Sequence, residues 1–192
     1  DFVSYSNEFN WPAAADGQGF SLEFTNPLEE NLITLNWKAS DEKGGSPGKA
    51  NRMALSNQIF INEFQADNSS TVKDEYGEYD DWIEIYNAGN NIINLSGLYI
   101  TDDFSDLKKF QIASSNNGTN ILNPNEHLLF WADNNIDQGS NHLNFRLDNN
   151  GEQIALIYIF ENDTTIVDSI TFGKQEKNFS YARISDGASS WK

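Results

Sequence analysis

Apolar and polar residues alternate along most of this chain, and no stripe recurs every three to four positions; that pattern limits it to strands more than any other feature. In Asp81-Trp82-Ile83-Glu84-Ile85-Tyr86, alternation places Asp81, Ile83 and Ile85 on one face and Trp82, Glu84 and Tyr86 on the other. Ile83 and Ile85 are the natural core pair, and Trp82 and Tyr86 are expected outside, partly covered by a neighbouring loop. The same reasoning predicts strands at Ser21–Phe24, Ile59–Phe64, Trp82–Tyr86, Gly97–Thr101, His127–Trp131, Gln153–Ile159, Ile166–Phe172 and Ser180–Arg183. Between them lie clusters of Asn, Asp, Gly and Ser, which tolerate left-handed backbone or cap their own turns. Short strands at this spacing make an all-β sandwich or barrel. Helix is expected only as one turn around Ser105–Lys109.

A chain of 192 residues is long enough for one well-packed core plus an appendage, or for two small domains. Residues 44–57 include Gly44-Gly45-Ser46-Pro47-Gly48-Lys49 and offer little to bury, so they read as a linker or tail. Residues 1–43 then form one unit and 58–192 the main domain. The two share an internal echo. Asp1–Tyr5 parallels Asp168–Phe172, Gly19-Phe20-Ser21-Leu22-Glu23 parallels Asn178-Phe179-Ser180-Tyr181-Ala182, and Asn36-Trp37-Lys38 parallels Ser190-Trp191-Lys192. The first unit therefore reads as the closing part of a second copy.

Charge excludes several functions. Twelve basic residues against 29 acidic ones give −17 at pH 7, the wrong sign for neutralising phosphates or binding an anionic membrane. There is no cysteine, which removes disulfides, thiolate zinc sites and thiol catalysis. No apolar run approaches the ~20 residues of a membrane span. The opening Asp1-Phe2-Val3-Ser4-Tyr5 is no signal peptide and reads like mid-strand, as in a mature form or an excised fragment.

Three further segments are informative together: Asp81-Trp82-Ile83-Glu84-Ile85-Tyr86-Asn87, then Leu95-Ser96-Gly97-Leu98-Tyr99-Ile100, then the Pro124 turn into Leu128-Leu129-Phe130-Trp131-Ala132-Asp133. Their order resembles the bacterial branch of the lamin tail domain family, over roughly Gln58 to Lys192. The family's closing Trp with a Pro-Gly-x-x-Asn tail is matched by Trp37 and Pro47–Asn51 of the first unit, whereas the second ends at Trp191-Lys192. The resemblance implies a compact immunoglobulin-like β-sandwich without a catalytic centre. It also implies tandem copies within a secreted or cell-surface bacterial protein.

Candidate chemistry is sparse. His127 precedes a strand and reads as a turn or strand-edge residue; His142 lies in a polar stretch and reads as solvated. Nothing supplies the nucleophile and oriented base of a hydrolase triad. Two acidic runs, Asp74–Asp81 and Thr101–Asp106, read first as Asx-turns and strand-end caps. Alternatively they offer oxygens for calcium, although neither has the EF-hand spacing. Asp102, Asp103 and Asp106 are the favoured ligands, being closest together in sequence. Tyr76, Tyr79, Trp82 and Tyr99 read as core or rim packing, with a stacking platform for a sugar or peptide as the alternative. The expected function is non-catalytic adhesion, scaffolding or targeting through loops and edge strands, with a protein or glycan ligand and no nucleic acid. A calcium-stabilised carbohydrate-binding module is the alternative. Residues 1–51 are further expected to dock on the main domain or pair with a neighbouring chain.

Overall fold

A computed structural model describes residues 3–6, 11–24, 31–32, 34–47, 55, 58–114, 120–160 and 163–192. The tail positions Gly48–Asn51 and the opening Asp1-Phe2 lie outside these residues. The chain divides into two compact units, Asp1–Ala54 and Leu55–Lys192, and the division falls inside segment 44–57.

The first unit is built on β1 (Phe20–Phe24) and β2 (Trp37–Lys43), paired antiparallel with Glu23 opposite Lys38 and Phe24 opposite Trp37. Ring packing holds it: Trp37 lies 4.9 Å from Phe24 and 6.3 Å from Trp11. Gly44 and Gly45 do not trail away as a linker would. Gly44 N donates to Gly19 O, and Ser46 Oγ donates to the buried Glu23 at 2.8 Å. A β-carbon at Gly45 would lie 2.3 Å from Ser21 Oγ, so only glycine fits there.

The second unit is an immunoglobulin-like sandwich. Its strands are β3 (Ile59–Gln65), β4 (Asp81–Asn87), β5 (Ile93–Asn94), β6 (Tyr99–Thr101), β7 (Phe110–Gln111), β8 (Ile121–Leu122), β9 (His127–Ala132), β10 (Gly151–Phe160), β11 (Asp163–Gly173) and β12 (Tyr181–Ala182). One antiparallel sheet has the order β12-β3-β4-β9 and the other β11-β10-β6-β7; β5 and β8 form a separate pair. Phe64 of the first sheet meets Phe172 of the second at 4.4 Å. Ile59, Ile61, Phe64, Ile83, Ile85, Ile100, Phe130, Ile154 and Leu156 are sealed from solvent between the sheets. Each such side chain contributes about 1.5–3 kcal/mol on burial.

Two bulges explain where the simple alternation breaks. In β3 the register shifts between Ile61 and Glu63, so Ile59, Ile61 and Phe64 all reach the core. Asn62, the extra residue, uses its side chain: Nδ2 donates to Glu84 and Asp186, and Oδ1 accepts from Gly187 N. In β11 the shift opposite Leu156 and Ile157 turns the buried Val167 inward beside Asp168.

Ile83 and Ile85 occupy the core as expected, but Trp82 and Tyr86 are nearly as well covered, 6% and 7% exposed. Trp82 donates from Nε1 to Gln65 Oε1, and Tyr86 stacks at 4.6 Å on His127 directly across from it. Helix is confined, among the described residues, to 3-10 turns at Ala13–Ala15, Thr34–Asn36 and Ile136–Gln138. Ser105–Lys109 forms no helical turn, because Thr101 Oγ1 and the Asp103 carboxylate engage the backbone that a helix would use. No helix among these residues is long and apolar enough to cross a membrane.

Candidate functional site

The three favoured acids follow β6 and have separate roles. Asp102 is buried, and Lys109 Nζ lies 2.5 Å from its Oδ1. That ion pair is the oxygen's partner. Asp103 Oδ1 accepts from Ser105 Oγ at 2.7 Å and Ser105 N at 2.8 Å. Those bonds hold its carboxyl below the ordinary value. Asp106 Oδ1 accepts from Lys108 N at 3.2 Å. Asp102 and Asp103, with Lys109, Glu152 and Phe172, line an open cleft of about 630 Å³. The three carboxylates are not among the described groups whose ligand atoms lie within 4.8 Å of one another.

The other acidic run is drawn together instead. Asp74 closes a tight turn: Asp74 N donates to Glu78 O, and its Oδ1 accepts from Tyr76 N at 2.9 Å and Glu78 N at 2.8 Å. Gly77 supplies the left-handed backbone, φ +84°, that the turn needs. Facing it is Asp133, just beyond β9, whose Oδ1 accepts from Asn135 N and whose Oδ2 lies 2.6 Å from His142 Nδ1. Ligand atoms of Asp74, Asp133 and His142 lie within 4.8 Å of one another, as do those of Asp74, Glu78 and Asp80. Partial burial, then the charges of Asp133, Asp74 and Glu78, push the Asp80 carboxyl above its ordinary value. Gln138 closes the group, donating from Nε2 to Glu78 Oε2 at 2.7 Å.

His142 is therefore not solvated; it is completely buried. Trp131 N donates to Asn141 O and Leu143 N to Trp131 O, so residues 141–143 run beside β9 and turn the imidazole inward. Burial alone would lower its pKa. The Asp133 hydrogen bond and Glu75, 3.3 Å from Nε2, outweigh burial and hold it above 6.5. Sequence reading missed this residue because only the pairing beside Trp131 buries it.

His127 opens β9, an edge strand, with Asp186 3.3 Å away and Glu84 3.9 Å away. The four aromatics proposed as a platform are dispersed. Tyr76 and Tyr79 are exposed, Trp82 is buried, and Tyr99 lies on the opposite sheet.

The family model described as Lamin Tail Domain matches residues 53–174, more than half of the chain. The chain belongs to the lamin tail domain family. No curated protein matches it, and no solved structure does. This is an immunoglobulin-like structural family, and in this lamin tail domain the Asp81–Asn87 motif is β4, an inner strand of its sheet. Residues beyond the matched span complete the packing. Trp191 stacks on Tyr181 at 5.5 Å, and Arg183 Nε donates to Ile61 O of β3.

Proposed function

We propose that this lamin tail domain is a non-catalytic attachment module of a secreted or cell-surface bacterial protein, binding an extended, basic polypeptide along β11. One observation carries the reading: β11 runs for 11 residues and, among the described strands, pairs with β10 alone. Its outward row of Thr164, Ile166, Ser169 and Thr171 is exposed, with Ile166 at 49%. On either side of Asp168, whose carboxylate is engaged by Ile61 N and Arg183, an edge with β-branched and hydroxyl side chains accepts an added strand through main-chain hydrogen bonds. The −17 charge favours a cationic partner and speeds its approach. The lack of cysteine is compatible with an extracellular setting.

The test uses a short peptide of alternating Thr, Val and Lys as the probe, with Ile166→Lys as the variant. The expected outcome is micromolar binding that weakens with salt and is lost in the variant. Binding that Ile166→Lys leaves unchanged is charge adsorption and refutes the strand-addition reading.

Tandem organisation is the second part of the proposal, supported by register. In the first unit Glu23 pairs with Lys38 and Phe24 with Trp37; at the echoed positions, Ala182 and Lys192 exchange both backbone bonds and Arg183 pairs with Trp191. The echoed strand β12 also has β3 on its other side, whereas β1 has β2 alone among the described strands. Strand exchange or self-association through β1 follows, and repeated modules would raise avidity by effective concentration. Sedimentation velocity tests it: concentration-dependent dimers are expected, and a monomer throughout rejects self-association.

A further inference from the structure

We infer that the Asp74 turn holds a hard divalent cation of the calcium class, coordinated by carboxylate and carboxamide oxygens between the β3–β4 loop and the end of β9. A cluster of acids alone would not carry this. Asp74 does: it is 7% exposed, its Oδ1 is taken by two backbone N–H groups, and its buried Oδ2 has no hydrogen-bond partner. An ionised oxygen withdrawn from water without a partner is strongly disfavoured unless a cation meets it. Asp74 is also the residue common to both groups of clustered ligand atoms, one with Asp133 and His142, the other with Glu78 and Asp80. With Oδ1 committed to the turn, Oδ2 is the atom left to face them.

Among the described residues no lysine or arginine forms an ion pair with Asp74, although the charge of Arg146 reaches Asp80. Arg146 Nε donates to the Asp133 carbonyl, and Lys73 Nζ lies 4.9 Å over the Tyr79 ring. Gln138 adds a neutral oxygen: its Nε2 is on Glu78, and its Oε1 is buried without a hydrogen-bond partner. The donor set is thus oxygen-rich, as calcium requires.

His142 fits as an orienting group. Its Nδ1 lies 2.6 Å from Asp133 Oδ2, a hydrogen-bond spacing, whereas two ligands on one tetrahedral zinc ion with ~2.0–2.1 Å bonds stand ~3.3 Å apart. The imidazole aims Asp133 at the site, as outer-shell partners of metal ligands do. The Asp102–Asp106 segment has no equivalent need, since Lys109 and Ser105 already satisfy it.

Calorimetric titration of the chelator-stripped full chain with calcium chloride, paired with melting in calcium and in chelator, is the test. One saturable site and a melting temperature that climbs with free calcium are expected. Asp80→Asn should weaken calcium binding at least about tenfold by removing ligand charge. Asp74→Asn, if it folds, should abolish binding, and Asp80→Asn decides alone if it does not. Asp103→Asn with Asp106→Asn should leave the response intact. Silence at millimolar calcium overturns the site, as does a response to zinc only or one lost in the Asp103/Asp106 variant.

Discussion

Asp168 and Arg183 form an ion pair, Oδ2 to Nη2 at 2.7 Å, that ties β11 to the chain's closing segment. The same Asp168 oxygen accepts from Ile61 N at 2.8 Å, and Arg183 Nε reaches Ile61 O at 2.9 Å. Arg183 is also sandwiched, 4.9 Å over Phe60 and 4.8 Å over Trp191, and donates from Nη1 to Ala188 O. Two residues therefore satisfy the edge of β3 where β12 does not reach it.

Arg183→Ala leaves the half-buried Asp168 carboxylate with the Ile61 N–H but no countercharge, and removes the Nε donor from the Ile61 carbonyl; it should cost about 3–5 kcal/mol in urea unfolding. Arg183→Lys should recover only part of this, because an ammonium lacks the planar fork that serves several acceptors while lying between rings. A loss below about 1 kcal/mol for the alanine variant would show that the node is incidental.

Gly151→Ala should destabilise the β10–β11 hairpin by about 1–3 kcal/mol. Gly151 has φ +123°, and an added β-carbon would meet Phe172 O at 2.9 Å and Gly173 Cα at 3.1 Å, both backbone atoms. Thermal melting reads this directly. An unchanged midpoint would mean that the hairpin end yields.

Glu84 supplies a pH dependence. Burial raises its carboxyl above the ordinary 4.5, against the opposing Asn62 hydrogen bond and the His127 charge. A raised carboxyl binds its proton more tightly folded than unfolded. Its contribution is thus fully present below pH 4.5 and is lost as pH rises through the raised value. Glu84→Gln keeps the Asn62 bond and should flatten that segment of the stability profile, raising the melting temperature at pH 7. An unchanged profile would remove Glu84 as a source of the dependence.

The sandwich was legible because β4 carries the period on single residues, Ile83 and Ile85 both being sealed in the core, while Ile154–Ile157 of β10 is an apolar run buried throughout. β2 was missed because Trp37-Lys38-Ala39-Ser40-Asp41-Glu42-Lys43 is polar and does not alternate; pairing with β1 alone makes it a strand. β5, β7 and β8 are two residues each, too short for any period. The acidic run at Asp74–Asp81 was visible, but its partners were not. Asp133 and His142 lie about 60 residues on and arrive only through the end of β9. Proximity in sequence favoured Asp102, Asp103 and Asp106, yet their short side chains are used locally, by Lys109 and the turn backbone.

The most direct measurement is amide-resolved NMR of the full chain titrated with the Thr-Val-Lys peptide. The expected result is perturbation and exchange protection running along Asp163–Gly173, lost in Ile166→Lys. Perturbations confined to the Asp74–Asp80 loop, or none at saturating peptide, would contradict strand addition at β11.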